Sequence, residues 1–525
     1  MNRPRSQPRV RRNDWSSLDV PALGTWEPTL SVSVVIPAYG AQRLLPHVLA
    51  GLAAQTYPTH LLEVVVADDD PRERLELPEL RPERTRLVRV ERGWGRANAC
   101  HTGALASDGD VVHWLDSDML VEPDEVEAQL RWHHLVDHAV VLGHKWFVDP
   151  EPLLALPPTV DGRMHEVFAD VEKERHWVED TWDRTDDLRR AGPRALRTHV
   201  GATASLRRSL YDESGGMDTS LRLGEDIDLG YRLAERGAVF VADRESRSWH
   251  LGRTHQQRRQ DEVNDYNAPF LADRVPDLQP QRRRRRLYSV PYLEVVLDTR
   301  GEEHGAVQAV VDSVLASSLA DLSVTLIGDW SAISEERTAP LDDPQLAARL
   351  VRASYAGEPR VVLAESVGDP RGQFRMVLGS AAWAPTSETL AMLVMHLERT
   401  HHGLRQVMMP DGTSARVERT AAFARARRVA DPGEDLDDVV DELFGSWWVE
   451  GGDAGFEPSA TVKRPRLRGT AGDAQDPAAS WRELGGAADA PQQREPRGQR
   501  ATAGKSEPEP PKRRGIGSLL RRGGQ

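Results

Sequence analysis

Cysteine is almost absent. Cys100 stands alone in 525 residues, which excludes an internal disulfide and any zinc cage built on cysteines. No run of about twenty apolar residues occurs, so a membrane-spanning helix is not expected. The opening Met1–Trp15 stretch is basic but lacks the apolar centre that a secretory signal needs. These absences together point to the cytoplasm. The chain also lacks a basic body. Its net charge is −14, yet both ends are rich in Arg and Lys, so the part between them is more acidic than the total suggests. That argues against nucleic acid as a partner, which would need a basic footprint. The closing stretch from Pro510 to Arg522 is basic with three aliphatic residues. It reads as a solvated tail or as a weak membrane-surface foot, which would place the protein peripherally on the inner face of a membrane.

What is present is ordinary for a globular chain, with 39% hydrophobic and 29% charged residues. The length suits two or three domains. Residues 1–30 hold Pro, Arg and Ser with little apolar periodicity and read as a flexible basic arm. Order is expected from Ser31-Val32-Ser33-Val34-Val35-Ile36-Pro37, a β-branched run stopped by proline. Gln42–Gln55 carries Leu45, Val48, Leu49 and Leu52 at helical spacing. Further strands are predicted at 62–67, 85–90 and 110–115, with an Ala-rich helix over 96–106. Strands alternating with helices imply a mostly parallel sheet covered on both faces. In such sheets ligands collect at the carboxyl ends of the strands.

The pattern pauses near residue 276 and at the arginine run 282–286, which reads as a linker or surface strip. It then restarts with strands at 292–297 and 322–327 around a helix over 306–316. The boundaries expected are therefore 31–275 and 276–455 for two α/β regions, with 456–525 a disordered basic tail. The second region echoes the first. Gly224-Glu225-Asp226-Ile227-Asp228 returns as Gly433-Glu434-Asp435-Leu436-Asp437, and a glycine loop precedes each, at Gly201 and Gly412. Counting back from the downstream helix, Ser380-Ala381-Ala382 stands where the first region has Asp116-Ser117-Asp118. A duplication whose second copy has lost its carboxylates is expected, against the alternative of two unrelated α/β domains.

Three acidic clusters carry the chemistry. Asp116-Ser117-Asp118 ends a strand, so both carboxylates enter one crevice, where a hard cation such as Mg²⁺ takes one or two carboxylates plus substrate phosphates. Asp68-Asp69-Asp70 ends an earlier strand, as an Asx turn or as an acceptor for a base or ribose hydroxyl. Glu225 and Asp226 open a helix, either complementing its dipole or taking a proton at a cleft. Arg232 lies further along that helix and can orient the pair or reach a phosphate. His250 and His255 follow a strand, and His250 is the better candidate to complete a metal shell. Trp94, His144, Lys145, Trp146 and Trp249 are available to stack on or bond sugars, although core packing is the commoner fate of tryptophan.

These residues resemble family 2 glycosyltransferases of the GT-A fold. The matching pieces run in family order: Val34-Val35-Ile36-Pro37-Ala38-Tyr39, Val65-Val66-Ala67-Asp68-Asp69, Gly95-Arg96-Ala97, Leu115-Asp116-Ser117-Asp118-Met119, Gly215-Gly216-Met217-Asp218 and Gly224-Glu225-Asp226-Ile227-Asp228-Leu229. They cover residues 31 to about 275. The resemblance implies a GT-A fold with a mostly parallel central sheet, and an inverting transfer from a nucleotide-diphosphate sugar, first of all a UDP-sugar, to a hydroxyl. The acceptor would be a glycan, a lipid-linked molecule or a small molecule, in polysaccharide and cell-envelope synthesis. It implies that Pro37, Ala38, Tyr39, Asp68, Asp69, Arg96, Asp116 and Ser117 serve the nucleotide sugar. Asp116, Asp118 and His250 would hold Mg²⁺ or Mn²⁺, and Asp226, beside Glu225, would be the base. One departure is Ala99-Cys100-His101-Thr102-Gly103, where the family often has Ala-Arg-Asn-x-Gly, and Arg96 is placed to compensate. Two other readings compete: a pseudo-transferase that binds glycans or scaffolds a partner, and a sugar nucleotidyltransferase. The latter would show a Gly-rich, basic loop after the first strand, where this chain reads Pro37-Ala38-Tyr39-Gly40-Ala41.

Overall fold

The computed structural model describes residues 7–252, 259–282 and 286–462. The first sheet contains β1 (Val32–Ala38), β2 (Leu62–Asp68), β3 (Thr85–Arg89), β4 (Val111–Leu115), β5 (Met119–Val121), β6 (Ala139–Val148), β7 (Glu174–Arg175), β8 (Thr203–Arg207) and β9 (Val239–Leu251). Its order is β3-β2-β1-β4-β8-β6-β9-β5, with β7 beside β6. The strands β1 to β4 are parallel, while β8 runs against both β4 and β6. Continuous apolar runs suit a sheet covered on both faces. Val34 and Ile36 pack with Leu49 of the helix Leu45–Ala53, whereas Val35 packs with Cys100 of the helix Arg96–Leu105 on the other side. This is the α/β layout expected of the GT-A fold.

The second sheet is built from β10 (Leu293–Asp298), β11 (Leu322–Ile327), β12 (Val361–Ala364), β13 (Phe374–Leu378), β15 (Leu404–Met408), β16 (Ser414–Arg419) and β17 (Ser446–Glu450), and β14 (Trp383–Pro385) pairs with β18 (Phe456–Pro458) apart from it. Its order, β12-β11-β10-β13-β16-β15-β17, repeats that of the first sheet from β3 to β9, strand direction included. The registers also match at the key turn. Asp116 N donates to Ala202 O at 3.1 Å, and Gly379 N donates to Ser414 O at 2.8 Å. Gly379 thus takes the main-chain place of Asp116, one residue before the Ser380-Ala381-Ala382 counterpart reached by counting from the helix. Neither alignment puts a carboxylate there.

Both sheets belong to one compact unit that ends at Val462. Three sequence expectations need correction. Residues 7–30 are not a flexible arm. Val10 is fully buried among Trp132, Val141 and Val239. Arg9 pairs with Glu434 and Glu442 of the second half, and Arg12 N donates to Leu443 O. Arg9 and Arg12, two of the basic residues that suggested a solvated arm, are held by these long-range partners. Order also persists past residue 456, because β18 pairs with β14 and buries Phe456; residues 463–525 lie outside the described residues. Finally, Arg282 is no surface strip. Its side chain is buried and bonds Asp321, Ala272 O and Val290 O, while residues 283–285 lie outside the described ones.

The N-terminal strap is fixed by Asn13, which is buried. Its amide donates to Leu188 O at 2.9 Å and Phe240 O at 2.8 Å, and its Oδ1 accepts from Phe240 N at 2.9 Å. Asn13→Ala leaves these main-chain groups without partners in a dry site, so a loss of roughly 2–4 kcal/mol is expected in urea denaturation.

Candidate active site

The turn after β4 opens into a cleft of about 500 Å³ lined by Asp116, Asp118, Glu225, Asp226, His250, Arg96 and Lys145, among others, whereas Pro37, Ala38, Tyr39, Asp68 and Asp69 do not line it. Asp116 and Asp118 flank the turn between β4 and β5. His250 is on β9, directly opposite Met119 of β5. The ligand atoms of Asp116, Asp118 and His250 all lie within 4.8 Å of one another. His250 Nε2 is 3.7 Å from Asp118 Oδ1, and its Nδ1 is buried with no partner among the described residues. Two carboxylates and one imidazole form a donor set that suits a divalent cation.

Glu225 and Asp226 open the helix Glu225–Glu235 behind Gly224, whose φ of +81° only glycine adopts freely. Arg96 binds them to β4. Its Nε donates to Asp116 Oδ1 at 2.9 Å, and its Nη1 donates to Asp226 Oδ1 at 2.9 Å and to Glu225 Oε1 at 3.2 Å. One guanidinium therefore joins three carboxylates from two elements far apart in sequence. Gly201 makes this possible. A Cβ there would lie 2.5 Å from Arg96 Nη2 and 2.7 Å from Asp226 Oδ1.

Burial and charge separate the two acids. Burial, then the neighbouring Asp226 charge, pushes the Glu225 carboxyl up to about 7. Burial also opposes the Asp226 charge, but Arg96 and His199 outweigh it and hold that carboxyl below its usual range. Burial raises the Asp118 carboxyl against the pull of His250. Lys145, on β6, is nearly inaccessible, and burial lowers its ammonium to about 8 against the attraction of Glu179, Asp116 and Asp226. The ammonium makes no hydrogen bond or ion pair among the described residues.

The other acidic cluster adjoins the same helix. Ala38, at the end of β1, stands beside Asp68, and Asp69 N donates to Ala38 O. Pro37 is the preceding residue. The Asp69 carboxylate accepts from Gly95 N at 2.6 Å, just before Arg96, while Asp68 pairs with Arg89. Tyr39 is exposed, its hydroxyl accepting from Arg72. Ser117 lies in the turn between the two aspartates.

Several expectations fare differently. Arg232 does not line this cleft; it is tied to Asp228, Ser214 O and Gly216 O. Trp249 is buried against Phe168, Trp146 packs edge-on to His144, and neither lines the cleft. His144 contacts Glu179 at 3.3 Å. Trp94 is exposed under the Arg222 guanidinium, 4.5 Å from its ring. His255 lies outside the described residues. The sequence offered no signal for His199, Asn267 or Trp177, which also line the cleft. His199 donates from Nδ1 to Asp226 O at 2.8 Å. None of the three lies in a motif, and folding alone brings them there.

The electrostatics make a prediction. A carboxyl raised in the fold favours the native state while protonated, so Glu225 costs stability progressively as pH rises from its ordinary value near 4.5 to about 7. Glu225→Gln removes that cost. Its stability gain over wild type is expected to grow between pH 5 and pH 8 to on the order of 3 kcal/mol, as read from melting curves across pH. A pH-independent difference would refute the buried charge.

Comparison with known proteins agrees with this geometry. Residues 33–215 match the family model described as "Glycosyl transferase family 2". The chondroitin synthase of Escherichia coli is 22% identical over 355 residues, covering 63% of this chain and 49% of that protein. The validoxylamine A glucosyltransferase of Streptomyces hygroscopicus subsp. limoneus is 28% identical over 266 residues, covering 48% and 58%. The chain thus spans about half the length of the curated relatives it matches. Among solved structures, a mannosyltransferase from Pyrobaculum calidifontis in complex with GDP-Man and Mn²⁺ shares 18% identity at a TM-score of 0.32, covering 50% of this chain and 66% of that one. Among the described residues, no helix is long and apolar enough to cross a membrane. Alongside the strand order and the strand-end carboxylates, residues 33–215 thus carry a family 2 glycosyltransferase segment.

Proposed function

We propose that the chain is an inverting, metal-dependent glycosyltransferase. It moves a sugar from a nucleotide-diphosphate donor, first of all a UDP-sugar, to a hydroxyl of a glycan, a lipid-linked molecule or a small molecule. The observation that carries this is the convergence of Asp116, Asp118 and His250, with ligand atoms within 4.8 Å, in the same cleft as Glu225 and Asp226. The relatives' names, a chondroitin synthase and a validoxylamine A glucosyltransferase, support glycosyl transfer and keep both polymeric and small acceptors in play.

Asp116, Asp118 and His250 fit Mg²⁺ or Mn²⁺, which when bound would offset the charge that builds on the diphosphate leaving group. Pro37, Ala38, Tyr39, Asp68 and Asp69 would receive the nucleotide, with Ser117 and Arg96 toward the phosphates. Lys145 presents a buried ammonium that a phosphate or hydroxyl oxygen of the donor would satisfy. Asp226 is kept ionised by Arg96 and His199, as a base that takes the proton of an attacking hydroxyl must be. Glu225 shares Arg96 and positions it. The second sheet reads as a degenerate copy of the first, a view supported by its identical strand order and by Gly379 at the place of Asp116. A glycan-binding or scaffolding role suits that half.

Two variants test the assignment. Asp118→Asn is expected to abolish metal-dependent binding of a nucleoside diphosphate; unchanged calorimetric affinity in Mn²⁺ would sink the metal site. Asp226→Asn is expected to keep donor binding while transfer falls by on the order of 10²–10⁴, and retained turnover would remove Asp226 as the base.

A further inference from the structure

A cavity of about 720 Å³ lies between the two halves, away from the cleft. Its walls are the last turns of the helix Glu225–Glu235, the loop 367–372 ahead of β13, and the helix Thr420–Val429 that follows β16. Arginines dominate it. Four have counter-ions: Arg232 with Asp228, Arg236 with Asp369, Arg375 with Glu294 and Arg428 with Glu213. Arg371 and Arg427 line the same cavity, and among the described residues neither side chain makes an ion pair or hydrogen bond. Burial raises the carboxyl of Glu235, also in the wall, well above its ordinary value.

Two exposed guanidinia on the wall of a concavity, neither in a salt bridge although the Arg427 charge acts on the Glu418 carboxyl, make a local positive field on a chain whose net charge is −14. The planar fork of arginine matches carboxylate, phosphate and sulfate oxygens in pairs. The volume falls within the range of pockets that enclose small ligands, so a short anionic segment fits better than an extended surface. Ser214, Tyr231 and Thr420 add polar groups suited to hydroxyls. The location is equally telling. The helix Glu225–Glu235 has Glu225 and Asp226 in the cleft at one end and Arg232 and Glu235 in this cavity at the other. Its 11 residues span roughly 15 Å, a distance that a few linked sugars cover.

We propose that this groove holds the acidic groups of an anionic glycan acceptor, with Arg371 and Arg427 as its anchors. The second half would thereby grip the chain that the first half extends. This deepens the proposed function and rests on it for the word acceptor, whereas the anion site stands on its own residues.

The test is equilibrium binding by the full chain without donor. Fluorescent oligogalacturonate supplies carboxylates, inorganic tripolyphosphate competes as the phosphate probe, and cellohexaose is the neutral control. Wild type is expected to bind the oligogalacturonate, or tripolyphosphate, and not cellohexaose; the relative affinities identify the acidic group. Arg371→Glu with Arg427→Glu is expected to weaken binding at least 10-fold, and the Gln pair to weaken it less, at unchanged melting temperature. Equal affinity of wild type and both double variants would overturn the proposal. So would binding confined to phosphatidylglycerol vesicles and lost in the variants, which would assign the groove to lipid headgroups. UDP titrated with Mn²⁺ into the wild type reports on the donor site separately. Its failure would count against the proposed function and leave the groove result standing.

Discussion

The arrangement of the cleft depends on the arginine that holds its acids together. Asp116, Asp118, Glu225 and Asp226 bring four carboxylates to one concavity, and like charges at that spacing repel strongly once water is excluded. Arg96 answers three of them at once. Its own place is set from two sides. Asp69 accepts from Gly95 N and so fixes the start of the helix that carries Arg96, and Gly201 leaves the space into which the guanidinium fits. The end of β2, the end of β4, the start of β8 and the first turn of the helix Glu225–Glu235 are thereby brought into register around a single charge. Taking Arg96 away would leave buried carboxylates facing one another, the situation in which a broken buried pair costs several kcal/mol.

Much of this was legible in the sequence because it is local. The runs Val32–Ile36, Leu62–Ala67 and Val111–Leu115 are mostly apolar, interrupted by Ser33, Glu63 and His113, each closes at an acidic residue or a proline, and each is a strand; the last leads into the aspartates of the cleft. The helix beginning at Glu225 follows from Gly224 and the periodicity behind it. What the sequence could not show is what depends on partners far along the chain. Residues 7–30 look polar and irregular, yet Asn13 is bonded to Leu188 and Phe240, so their order comes from elsewhere. Arg232 looked available for a phosphate, but its guanidinium is consumed by Asp228 and two carbonyls. His199, Asn267 and Trp177 reach the cleft from segments without a recognisable pattern.

The second half shows what the same strand order does without the acids. Glycine stands where Asp116 would be. The acidic residues of the similar Gly433–Asp437 stretch serve the fold instead: Asp437 pairs with Arg416, and Glu434 pairs with Arg9 of the strap. Charges that surround an open cleft in the first sheet are spent on ion pairs in the second. Two arginines there, Arg371 and Arg427, stay outside ion pairs among the described residues and line the cavity beside the helix Glu225–Glu235.

Arg425 carries a consequence for how the molecule comes apart. This side chain of the second half is buried, and its hydrogen-bond acceptors are all backbone carbonyls: Gly237 and Ala238 of the first half, and Val10 and Arg12 of the strap. Gly237 admits it only because a Cβ there would meet the Arg425 backbone at 2.6 Å. Among the described residues no carboxylate pairs with it, and burial lowers the guanidinium to about 9. Once the halves separate, all of these groups lose their partners together. The seam therefore acts as a cooperative latch, coupling the melting of the half that bears the cleft carboxylates to that of the half built on the second sheet.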